Sequence, residues 1–179
     1  MGLRKALAYS HKIVKPYTRI SKRKGKAYIK SVPYSKIVKF DGGAIKDYRG
    51  GKHTYKISLI SEERVQVRDN ALEASRMFIV KAMDEGAFGQ YYLMVRVHPH
   101  HFMRENKSVA AVAGADRLST GMTQSFGTVV GRAAIVQPGQ TLFFVSCANE
   151  KAAQTAKAAL IKIKAKIPAK TRVVFEKLD

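Results

Sequence analysis

Sixteen of the first 56 residues are Lys or Arg, against two acids, Asp41 and Asp47. Arg4, Lys5, Lys12, Lys15, Arg19, Lys22, Arg23, Lys24, Lys26, Arg49 and Lys52 are strung along this stretch almost without carboxylates to pair them. The chemistry open to such a set is neutralisation of a polyanion, each cation taking a phosphate and releasing its counterion. Gly50-Gly51 lies between Arg49 and the pair Lys52-His53, and glycine permits a close backbone approach, so these three side chains are expected on a loop pressed against phosphates. The competing reading of the glycine pair is an ordinary turn. Tyrosines at 9, 17, 28, 34, 48 and 55 are threaded among the cations, where they either stack on exposed bases or anchor the arm to its own core. Residues 57–179 hold 17 basic and 11 acidic side chains, so the net charge of +20 divides as +14 and +6.

Covalent chemistry finds little support. The phosphate-binding pattern G-x-x-x-x-G-K requires a glycine where Lys46 stands, and G-x-G-x-x-G does not occur. His98-Pro99-His100-His101 has metal-ligand residue types. Strand alternation and the proline turn the rings in different directions, and no Cys or acid stands nearby at a ligand spacing, so a role near phosphates or bases is preferred to zinc. Acids are too few for a two-metal nuclease, although Asp116 beside Arg117 leaves that reading formally open. Cys147, the single cysteine, lies in the apolar run 142–147 and reads as a small buried thiol. No catalytic residue, metal or cofactor is expected. No apolar run reaches the roughly 18 residues of a membrane span, and the first twelve residues lack a signal-peptide core, so a cytoplasmic protein without a membrane partner is expected.

The elements that must position these residues begin at His53. The stretch before it scatters its apolar residues singly among lysines and needs a partner to order it. Residues 1–52 are therefore read as a basic RNA-binding arm and 53–179 as one domain. Tyr55-Ile57-Leu59 alternates with Lys56-Ser58-Ile60 as a half-buried strand, and Val65 and Val67 mark a second. A helix is expected from Asp69 or Asn70, with Leu72, Arg76, Ile79 and Met83 on one face and Gly86 at its end. Residues 91–98 read as a strand, and 133–137 with 141–147 as a hairpin turned by Pro138-Gly139. A second helix is expected from Asn149 through Ala152, Ala153, Ala156, Ala159, Leu160 and Ile163, stopping at Pro168, and 171–177 as the last strand. Between about 99 and 131 no pattern is sustained. A loop of that length is usually functional, and it holds Arg104, Lys107, Arg117 and Arg132, with His101 near its start; the competing readings are a floppy insertion or a short helix hidden in 108–115.

Three runs carry a family resemblance: Arg96-Val97-His98-Pro99-His100-His101-Phe102-Met103-Arg104-Glu105-Asn106-Lys107, then Ala113-Gly114-Ala115-Asp116-Arg117-Leu118 with Gly121-Met122, then Phe126-Gly127. Together with Lys39-Phe40-Asp41 and Lys166-Ile167-Pro168-Ala169-Lys170-Thr171 they resemble the large-subunit ribosomal protein family called "L ten e" in archaea and eukaryotes and "L sixteen" in bacteria. The chain stops at Asp179, soon after the last strand, which resembles the archaeal type. The resemblance implies an α/β (α+β) fold of two helices on a largely antiparallel sheet, placed in the large ribosomal subunit on its rRNA. It also implies an internal loop reaching toward the peptidyl transferase region and tRNA, with His101, Arg104, Lys107 and Arg117 as contacts and neighbouring ribosomal proteins as partners. The expected function is therefore structural: binding large-subunit rRNA and shaping the tRNA-binding region, without catalysis. The alternative is a metal-dependent RNA-processing nuclease or ribosome maturation factor.

Overall fold

A computed structural model of the chain describes residues 6–11, 32–105 and 128–178. In order the elements are α1 (Leu7–Ser10), β1 (Asp41–Gly43), α2 (Ile45–Arg49), β2 (Tyr55–Ser61), β3 (Val65–Arg68), α3 (Asp69–Ala87), β4 (Tyr91–Val95), β5 (His101–Glu105), β6 (Thr128–Val136), β7 (Thr141–Cys147), α4 (Glu150–Ile163), a 3-10 turn (Lys164–Lys166) and β8 (Thr171–Lys177). This is the expected α+β class. Two long helices lie with two antiparallel sheets, one of five strands in the order β1-β4-β7-β2-β8 and one of three in the order β3-β6-β5.

One face of the five-stranded sheet carries Ile57, Leu59, Leu93, Phe143 and Val145, which pack with Leu72, Ile79 and Met83 of α3 and Leu160 and Ile163 of α4. All six apolar positions expected to face inward on α4 are buried. The two helices approach closely where a Cβ on Gly86 would lie 2.8 Å from Cγ2 of Thr155. Gly86 is therefore not the helix terminator expected of it; α3 continues to Ala87, and the missing side chain makes room for the neighbouring helix. α3 starts at Asp69 as expected, but the cap position is Arg68 and not Asp69 or Asn70. Asp69 is its first helical residue, and its buried carboxylate accepts from the amides of Asn70 (2.8 Å) and Lys36 (3.1 Å), fastening the preceding segment to the helix. Asn149 precedes α4 with extended backbone as a cap should, yet its side chain donates to Gln90 Oε1 at 3.0 Å.

The expected hairpin at Pro138-Gly139 is corrected. The turn is there, with Gly139 at φ +81°, but β6 pairs with β3 and β5 while β7 pairs with β2 and β4, so the turn carries the chain from one sheet to the other. The connection from β2 to β3 makes the opposite crossing at the same place. The two are bonded together, Gly139 N–H to Ser61 O at 2.7 Å and Ser61 N–H to Gln140 O at 3.0 Å. Alternating apolar residues on either side of a short turn fit both arrangements equally, which is why the pattern misleads.

Two strands were not expected. β1 comes from the basic stretch and pairs with β4 through Asp41↔Met94 and Gly43↔Tyr92; Ile37 just before it is buried in the core. Gly43 has φ +88°, and a Cβ there would lie 2.2 Å from the Tyr91 carbonyl oxygen, so only glycine fits this edge. β5 and the first part of β6 likewise occupy the ends of the patternless stretch expected at about 99–131. They pair with a register shift between Met103 and Arg104.

Candidate nucleic-acid interface

Of the expected binding residues, Arg4, Lys5, Lys12, Lys15, Arg19, Lys22, Arg23, Lys24, Lys26, Lys107 and Arg117 lie outside the described residues. Arg49, Lys52, His53, His101 and Arg104 are described and fall into two groups.

Arg49 ends α2 and is exposed. Lys52 Nζ lies 2.7 Å from Asp47 Oδ1, and this hydrogen bond, reinforced by the opposite charges, raises the ammonium pKa and lowers that of the carboxylate. His53 is buried. Burial pushes its pKa down against the opposing pull of Asp47, and its Nδ1 has no hydrogen-bond partner. The Gly50 and Gly51 amides donate to the carbonyls of Lys46 (2.9 Å) and Tyr48 (3.1 Å), with Gly51 at φ +72°. These N–H groups are used in ending α2, so the glycine pair is a helix-terminating turn and not a phosphate cradle.

The tyrosines divide. Tyr48 stacks on Tyr92 at 4.3 Å and 15°, with Phe144 edge-on at 5.7 Å from the Tyr48 ring. The Tyr92 hydroxyl donates to Asp41 Oδ1 at 2.9 Å, and burial together with that bond pushes its pKa up to about 12. Tyr48 and Tyr55 are thus largely structural, Tyr9 lies under the Arg68 guanidinium at 5.6 Å, and Tyr34 is 95% exposed. Beside Tyr48 the open face of the large sheet holds a groove of about 390 Å³, with Arg96, Thr141 and Phe144 in its wall and the Lys56–Glu176 ion pair (2.6 Å) at its edge.

The second group is the β5–β6 ribbon, from whose end the segment 106–127 departs. Of the three histidines before and within it, His98 and His100 are exposed and only His101 is turned inward. His98 lies against Phe40 (5.3 Å between rings), exposed His100 places Nδ1 3.2 Å from the His98 carbonyl, and His101 is buried. Among the described residues no three potential metal ligands cluster. Arg104 is half-buried, and Arg132 across the ribbon donates through Nε to the Pro33 carbonyl at 2.7 Å while lying 5.3 Å from the Phe102 ring. Arg132 holds the approach segment to the ribbon, a role that its charge did not disclose.

Burial drives the His101 pKa from 6.5 to about 4, with the charge of Arg104 and the neighbouring His100 adding to the effect. The neutral ring therefore stabilises the fold in full above pH 6.5, and that contribution is lost progressively as pH falls toward 4. His53 and His98 shift in the same direction, mainly through burial. Urea midpoints should accordingly fall between pH 6.5 and 4, and His101→Phe should make that decline shallower; an identical pH profile in the variant would refute the assignment.

Cys147 is fully buried and burial pushes its thiol up to about 12, as expected for a packing residue. No helix among the described residues is long and apolar enough to cross a membrane.

The family model described as "Ribosomal protein L16p/L10e" matches residues 15–174. The chain is 42% identical over 179 residues to the large ribosomal subunit protein uL16 of Staphylothermus marinus, an alignment spanning 99% of this chain and 96% of the relative. It is 40% identical to the protein of the same name from Pyrobaculum calidifontis over 98% of this chain and 95% of the relative. With that of Thermofilum pendens it shares 41% identity over 98% of each.

Proposed function

As this chain belongs to the ribosomal protein L16p/L10e family, we propose that it is a constituent of the large ribosomal subunit that binds rRNA through its basic arm. Its internal loop extends from the β5–β6 ribbon toward the tRNA-binding region near the peptidyl transferase centre. The observation that carries this reading is the family match across nearly the whole chain, joined to an amino-terminal stretch, residues 1–56, whose sixteen cations meet two acids. The family is one of structural ribosomal proteins, so the chemistry asked of the chain is binding. Affinity rests mainly on phosphate neutralisation, with single-stranded bases and RNA shape supplying specificity. Arg4, Lys5, Lys12, Lys15, Arg19, Lys22, Arg23, Lys24 and Lys26 supply the arm's charge, with Arg49 and the Asp47-paired Lys52 at its junction with the sheet. His53 and His101 are buried, so they support their loops from within. Arg104 near the end of β5, with Lys107 and Arg117 in the segment that follows, are the cations of this region.

The loop is tested separately from assembly. Changing Arg104, Lys107 and Arg117 together to Gln removes at most three phosphate interactions while the arm's charge remains. Mutant protein should enter large subunits at normal stoichiometry, whereas tRNA affinity or peptide-synthesis rate should fall by about tenfold. Normal incorporation with normal tRNA affinity and rate would make the loop a passive insertion.

A further inference from the structure

We propose that Tyr34 is a stacking platform for one unpaired base of rRNA, with Lys36 beside it for the adjoining phosphate. The Tyr34 side chain is 95% exposed, and exposure alternates along the segment that carries it: Tyr34, Lys36 and Val38 are exposed while Ile37 is buried in the core. One exposed apolar side chain is ordinary on a protein surface. The backbone beneath this one is not. The Pro33 carbonyl accepts from Arg132 Nε at 2.7 Å, and the Lys36 amide donates to Asp69 Oδ2 at 3.1 Å. The Val38 amide donates to the Glu73 carboxylate, and the Phe40 carbonyl accepts from the Val95 amide at 2.8 Å. Between Pro33 and Phe40 the chain is thus fastened to α3, β4 and β6. A segment held at this many points presents its exposed side chains in fixed places, so a partner docking there has little left to order.

The charge around the ring narrows the occupant. The carboxylates that hold the segment are already engaged, Asp69 by the amides of Lys36 and Asn70 and Glu73 by Arg76. Lys36 and Lys39 are exposed, neither has a carboxylate partner among the described residues, and residues 32–40 contain no acid. The charge left uncompensated is therefore positive, which disfavours a cationic peptide and favours a polyanion. An apolar side chain of a neighbouring protein would cover the ring but leave the lysines unused. A nucleotide uses both: its base has a π face for the ring, and its phosphate answers the ammonium group two residues along. Stacking of this kind accepts any of the four bases, because every base has such a face.

This inference rests on the rRNA-binding reading, and the test separates the two. Full-length wild-type protein and its variants are titrated with large-subunit rRNA transcript over a salt series. Tyr34→Ala should weaken binding about tenfold with an unchanged log-log salt slope, because a stacked ring is lost and no phosphate contact is. Tyr34→Phe should bind as wild type, since the ring remains. Tyr34→Leu, apolar but without a π face, should lose as much affinity as Tyr34→Ala. Lys36→Gln should instead reduce the slope by roughly 0.7 to 0.9. Thermal melts of the Tyr34 variants should match the wild type, because the side chain is exposed; a lowered melt would make the ring a structural element instead. Wild-type affinity in Tyr34→Ala would overturn the stacking site alone, and wild-type affinity in Tyr34→Leu would replace it with a merely apolar contact. Failure of the wild-type protein to bind the transcript would overturn the rRNA reading along with it.

Discussion

Leu160→Asp should yield no cooperatively folded protein. Leu160 is fully buried on α4 in the hydrophobic core beneath the five-stranded sheet. Placing an unpaired charge there costs several kcal/mol beyond the lost apolar burial, against a total stability of about 5 to 15 kcal/mol for a domain of this kind. Ile161→Lys is the control. Ile161 is half exposed, and a cation in the last turn favours the helix dipole, so the variant should unfold cooperatively within about 1 kcal/mol of wild type. Circular dichroism melts of both proteins decide the matter; a native-like transition in Leu160→Asp would mean that α4 does not hold the domain together.

The second large effect concerns the arm, and the fold dictates where to cut. Ile37 lies in the core, the Lys36 amide bonds Asp69, and β1 adds to the sheet, so removal of residues 1–52 would damage the domain as well as the RNA surface. Deleting residues 1–31 spares these contacts while removing ten cations and no acid. If four of the ten touch phosphates, the log-log salt slope should fall by roughly 3 and affinity at physiological salt by about a hundredfold or more. Filter binding to large-subunit rRNA over a salt series measures both. A truncated protein with the wild-type slope would show that the arm's charge is not spent on phosphates.

The sequence made the regular, self-signalling elements readable. On α4, six apolar residues at helical spacing all proved buried, and the limits of β8 coincide with those expected. What escaped was of two kinds. β1 is three residues long and two of them are glycine, so it carries no alternation; it exists because β4, some 50 positions away, offers an open edge. The second kind is polar residues placed against the rule. Gln66 stands between two buried valines and should by alternation have faced solvent, yet it is buried too, because β3 is covered on both sides. His101 and Arg104 look alike in a run of charged residues, but the strand turns the first inward and leaves the second half-exposed. The turn glycines at 50 and 51 were legible as a turn; only the hydrogen bonds reveal that their amides are already occupied.

The order of the five-stranded sheet has a consequence for how the chain reaches this structure. None of its neighbouring pairs, β1 with β4, β4 with β7, β7 with β2 or β2 with β8, joins strands that follow one another along the chain. No local hairpin is available as a starting point in this sheet. Each pairing closes a long segment of backbone before any ladder bond is gained, and the entropy of that closure, set by topology rather than by contact strength, paces folding. The central pairing of β2 with β7 must wait for residues near 145, which a ribosome supplies long after the arm has left the exit tunnel. During that interval the cations are already present on an unfinished domain, and nascent chains of this kind depend on whatever polyanion or chaperone meets them first.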